Sequence, residues 1–224
     1  MRNVMCETGI KLILLTSFCA GLLGCGGSDS DELDDKLSHS AVLSFVNSLD
    51  TSSDFYLDKR SISLGYSGLF DSKNKVSDDV NYNSVGATYS YSYKAINNMI
   101  NIGIKENNGA EEKNYHTLKN GDNLWVVAWL RGDDKKISVI PKKRHLQADQ
   151  FSVRIFADGN YPVVVDGNQA IATKTGEISN YITVNNCASG LQINGANIDL
   201  CTGDFGQSYL LIVDAKGKRV ITQE

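Results

Sequence analysis

A chain of 224 residues that is 42% hydrophobic holds core material for one sizeable domain or two small ones. Its formal net charge of −4 excludes the strong positive field that draws a protein to nucleic acid. Two prolines against twenty glycines, with many Asn, Asp and Ser, argue for short elements joined by tight turns rather than for long helices.

The first element is an address. Arg2 and Lys11 flank an apolar run from Leu12 to Gly24. That run is shorter than the ~20 residues a membrane-crossing helix needs, and it has the length of a signal-peptide core. Residues 1–24 are therefore read as a targeting segment and left out of the fold. Downstream, GGSDSDELDDK (residues 26–36) has Leu33 as its single large apolar side chain. A composition of that kind cannot offset its ordering entropy, so residues 25–37 read as an acidic tether with a reach of roughly 20 Å.

From Ser38 the dominant period is two, the signature of strands. AVLSFVN and DFYLD come first. The polar stretch between Val76 and Val85 is assigned no more than a helical turn. TYSYSY puts Tyr89, Tyr91 and Tyr93 on one face, and INIGI does the same with three isoleucines. LWVVAWL (124–130) is apolar on both faces, as expected of a fully buried central strand. PKKRHLQADQ (141–150) is polar, basic and opened by proline, and reads as a connector.

Beyond the connector the pattern starts again. VRIFADGNYPVVVD (153–166) can be laid on LSFVNSLDTSSDFYLD (43–58) as strand, polar turn, strand and Asp, which suggests an internal duplication. YITVNN, LQI, NIDLC, SYLLIVD and RVIT follow, separated by NG, GD and KGK turns. The expected fold is all-β, an Ig-like β-sandwich in two tandem related domains: residues 38–145, then a smaller one over 146–224.

Two resemblances extend this reading. Leu22-Leu23-Gly24-Cys25 closely resembles the lipobox of bacterial lipoproteins. The resemblance implies that the chain is cut before Cys25, that Cys25 is acylated (diacylglycerol and an N-acyl chain such as palmitate), and that the protein is held on a membrane. Gly26, where an aspartate would favour inner-membrane retention, implies the outer membrane, with the leaflet open. The FVN strand, the following Y-x-D strand and the VR restart resemble the bacterial DUF4397 family. Its secreted or lipidated members often carry tandem β-sandwich repeats of unknown biochemical role, so the resemblance implies a β-sandwich and assigns no catalytic residues here.

Few residues suggest chemistry. With Cys6 and Cys19 in the signal and Cys25 lipidated, Cys187 and Cys201 remain as a pair, read as one disulfide that stabilises by about 3 kcal/mol. No histidine lies near them in sequence, so no metal site is assigned, and no cofactor. GYSGL at 65–69 lacks the spacing of a nucleophile elbow, and His39, His116 and His145 are isolated in polar sequence. The two Asp-Gly-Asn triplets at 158–160 and 166–168 read as turns, lacking the further acids of a calcium loop.

The expected function is non-enzymatic: an envelope lipoprotein anchored at Cys25, presenting sandwich modules to an envelope protein partner or as structural support. The alternative is a glycan-binding module that uses Tyr89, Tyr91 and Tyr93 as a stacking platform, although alternate aromatics also build ordinary cores. A hydrolase whose site assembles only in space is the third.

Overall fold

The structure, a computed structural model, describes residues 37–224, which form one compact unit. Its regular structure is strand apart from two 3-10 turns among the described residues. The first eight are β1 (Ser38–Asn47), β2 (Ser53–Lys59), β3 (Lys75–Val80), β4 (Ser84–Lys94), β5 (Met99–Glu106), β6 (Glu111–Thr117), β7 (Asp122–Arg131) and β8 (Asp134–Pro141). The second eight are β9 (Phe151–Ala157), β10 (Pro162–Val165), β11 (Asn168–Ala172), β12 (Ile182–Val184), β13 (Leu191–Ile193), β14 (Ala196–Asn197), β15 (Ser208–Asp214) and β16 (Gly217–Gln223).

These sixteen strands make four sheets, each of four strands. The first sandwich pairs sheet β4-β1-β7-β8 with sheet β3-β2-β5-β6. The second pairs β12-β9-β15-β16 with β11-β10-β13-β14, which is the same order shifted by eight strands. The directions repeat too: β1 runs parallel to β7 and β9 parallel to β15, while the other neighbours are antiparallel. Even the register agrees, since Leu43 pairs Leu124 and its counterpart Val153 pairs Tyr209. The duplication suggested by the sequence is therefore a duplication of topology.

Alternation along β1 explains how the layers stack. Leu43 and Phe45 point into the first core with Phe55, Ile102 and Val126, while Val46 points the other way. In β9 Val153 and Ile155 point into the second core, and Phe156 points out. The outward residues meet in a third core of Val46, Trp125, Val127, Trp129 and Ile140 against Phe156, Leu210, Ile212 and Val220. The same face of each repeat thus covers the other, as in a self-complementary two-fold interface. LWVVAWL is apolar on both faces because β7 is packed on both, inside by its own sandwich and outside by the second one.

Turn chemistry fixes the corners. Asp166-Gly167 and Asn194-Gly195 all have positive φ and close two-residue hairpins between β10 and β11 and between β13 and β14. Asn47, fully buried, donates to the carbonyls of Thr51 and Val80 (both 2.8 Å) and accepts the Leu49 N–H, which pins the first corner. The stretch given at most a helical turn is instead β3, preceded by a short 3-10 turn at Ser72–Asn74.

Candidate functional site

The tyrosine stripe lies on β4, which pairs with β1 on one side and forms the edge of its sheet. Tyr89, Tyr91 and Tyr93 stand opposite Leu43, Ala41 and His39, on the side that faces the first core. Because β4 is an edge, burial grades along it: Tyr89 is exposed, Tyr91 half-buried and Tyr93 buried. Tyr91 and Tyr93 stack with centroids 6.2 Å apart, and His39 meets Tyr93 edge-on at 5.6 Å. Burial pushes both the Tyr91 and Tyr93 hydroxyls up from their ordinary pKa, with Asp58 adding to the first and Asp122 to the second. The Tyr93 hydroxyl is buried without a hydrogen-bond partner among the described residues.

Two of the three tyrosines come together in a cleft. Tyr91 and Tyr93 line a space of about 320 Å³ with Lys59, Lys94, Ser38 and Asn97, while Tyr89 stands apart further along the strand. Lys59 ends β2 and Asn97 sits in the 3-10 turn after β4, so only folding brings them beside the tyrosines. The Lys94 ammonium donates to Ser38 Oγ at 3.1 Å. An aromatic wall with amines and an amide at its rim can stack on an apolar ring face and hydrogen-bond hydroxyls.

A second polar cluster fills one end of the seam between the sandwiches. Lys142 donates to Ser44 Oγ at 2.6 Å and lies 3.8 Å over the Trp125 ring. Burial lowers its pKa below the ordinary lysine value, partly offset by Glu224. At the place in β9 that corresponds to Ser44, Arg154 binds both carboxylate oxygens of Glu224, at 2.5 and 2.7 Å, and the Pro141 carbonyl at 2.8 Å. Both side chains of that pair are withdrawn from water, and removing one partner would leave a buried charge unmatched.

The histidines are placed separately. His39 packs on Tyr93, and His116 lies on β6, its pKa lowered by burial. His145 Nδ1 is 3.0 Å from Ser152 Oγ, and its ring stacks on Tyr181. Ser152 is completely buried, so that serine is not presented to a substrate. GYSGL forms a succession of tight turns between β2 and β3.

Cys187 and Cys201 form a disulfide, with Cα atoms 4.7 Å apart, between the segment after β12 and the segment before β15. Asp158 accepts from the Tyr161 hydroxyl at 2.7 Å, and Asp166 accepts from Asn185, so both Asp-Gly-Asn aspartates are engaged within the fold. Cys25 lies outside the described residues. Compared with known proteins, the chain matches no family model and no curated protein.

Proposed function

We propose that this chain is a bacterial envelope lipoprotein, acylated at Cys25 and held on the outer membrane, and that it presents a double β-sandwich for interaction or structural support. The observation that carries the reading is the sequence LLGC followed at once by GGSDSDELDD, which runs directly into β1. A lipid anchor on a short polar spacer suits a body made rigid by a shared third core, because such a body holds its surfaces in fixed orientation. Kinship with the DUF4397 family belongs to the same proposal. The test is fractionation of cells that express the full chain and its Cys25→Ser variant. The parent chain is expected in the membrane pellet and the variant in the soluble periplasmic fraction; equal partition of the two would contradict the reading.

A second reading, recognition of a glycan, is favoured by one observation: the cleft where Tyr91 and Tyr93 meet Lys59, Lys94 and Asn97. Stacking of a sugar ring on Tyr91 would make affinity depend on that ring. Tyr91→Ala should then abolish binding on a glycan array while the protein still folds, at a somewhat lower thermal midpoint because the half-buried ring packs on the first core.

A further inference from the structure

We propose that one end of the double sandwich is a membrane-contact surface that rests its apolar side chains on the bilayer. This rests on the anchored reading above and goes beyond it, because a tethered domain has no need to touch the lipid.

The strands define that end. The Lys142 N–H binds the Asn123 carbonyl near the start of β7, and three residues on the His145 N–H binds Ser208 Oγ at the start of β15, where Ser208 pairs with Ser152 near the start of β9. Arg219, near the start of β16, holds the Ser48 carbonyl just beyond the end of β1. The parallel strands β1, β7, β9 and β15 therefore all begin at one end of the body, and the polypeptide from Cys25 joins it there, at Leu37.

This end carries most of the large aliphatic surface. Leu37 directly precedes β1. Ile96, 84% exposed, sits in the 3-10 turn between the end of β4 and the start of β5. Ile62, 93% exposed, and Leu64 project from a tight turn closed by the Gly65 N–H donating to Ser61 O, just after the Arg60 N–H binds Met99 O. The second sandwich adds exposed Leu146 from the connector, and exposed Phe205, which packs on Phe151 at the start of β9. Isoleucines almost fully in water are expensive, and scattered single cases need no explanation, but their gathering at one end does.

Position identifies the occupant. The tether read from residues 26–36 joins the body here and reaches roughly 20 Å, so this end is the part of the body nearest the lipid surface and within reach of it. Exposed Lys59, Lys119, Lys143 and Arg144 lie at this end, together with exposed Asp149, Asp166 and Asp204. The lysines and the arginine at this end can stay at the headgroup phosphates while the aliphatics enter the acyl boundary.

The described unit carries its own three cores, so the test can use residues 26–224. An N-terminal hexahistidine tag holds this protein on vesicles of phosphatidylethanolamine and phosphatidylglycerol that contain a nickel-chelating lipid. Its remaining cysteines are disulfide-bonded, so a polarity-sensitive dye can be attached at Ile62→Cys, at Ile96→Cys and, as a control at the opposite end of the first sandwich, at Val85→Cys. Dyes at 62 and 96 should shift to the blue and lose their emission to lipid-borne nitroxide, while the dye at 85 does neither. The proposal is overturned if all three dyes stay equally exposed to water. It is overturned as well if 62 and 96 are already shielded without vesicles in proportion to protein concentration, which would make a second copy the occupant. Nickel lipid replaces the acyl chains here, so a negative result leaves lipidation at Cys25 standing, and an unmodified Cys25 leaves this test intact.

Discussion

Arg154 shows how one side chain ties two sandwiches together. Its guanidinium grips Glu224 at the end of its own sheet and the Pro141 carbonyl of the first sandwich, in a place closed to water. Arg154→Ala would strand the Glu224 carboxylate, and we expect a loss of roughly 3–5 kcal/mol in denaturant unfolding. At the opposite end of the seam, burial raises the pKa of Asp158 above its ordinary 3.8, with Asp214 adding to the shift and Tyr161 and Arg219 opposing it. The folded state then holds the proton more tightly than the unfolded chain. Stability therefore falls as pH rises from 3.8 through the raised folded value, and the penalty persists above it. Asp158→Asn is expected to melt higher than the parent near about pH 7, and the difference should vanish below about pH 3.8, where both states are protonated. Sequence alone gives Arg154 no special standing. Its partner lies 70 residues away, and nothing in VRIFA tells a buried arginine from one that points to water.

Among the elements, legibility followed burial. LWVVAWL and the YLLIV within SYLLIVD stand out as strands because both of their faces are covered, so consecutive positions are apolar. The polar edges β3, β6 and β11 carry no such signal: EEKNYHT alternates only between exposed and half-buried, and β11 is exposed throughout. The tyrosine stripe was legible as a shared face, but not its gradation, because burial along β4 depends on its being an edge. Lys59 and Asn97 were missed for a related reason. Each is an ordinary polar residue at the end of an element, brought to the cleft by topology. Turns were readable where Asp166-Gly167 and Asn194-Gly195 take positive φ, but Asp158-Gly159 has no positive φ and links β9 to β10 in different sheets instead of closing a hairpin. Gly176 is a further exception. It has φ +72°, and a Cβ there would come within 2.8 Å of the Trp129 ring across the seam. Gly176→Val should cost about 1–3 kcal/mol through strain and overpacking, a loss measurable as a lower thermal midpoint with the fold retained.

For the whole molecule, the decisive feature is that a duplicated sandwich buries the same face twice. Sequence comparison of residues 43–58 with 153–166 pointed to the repeat. What it did not indicate was that the outward residues Val46 and Phe156 would meet in a third core. With Trp129 edge-on to Phe156 at 5.3 Å, the two sandwiches should unfold together in one transition. Trp129→Ala removes one of the two seam tryptophans, so calorimetry should register roughly 3–5 kcal/mol less stability and a broadened or split transition. A body so coupled has one orientation to set, and the proposed anchor sets it by joining at Leu37. That claim depends most directly on the chemistry of Cys25. Intact-mass and peptide mass spectrometry of protein purified from membranes should find a mature chain that begins at Cys25 and carries diacylglycerol and an N-acyl group. An unmodified N-terminus, or one that starts at another residue, would contradict it.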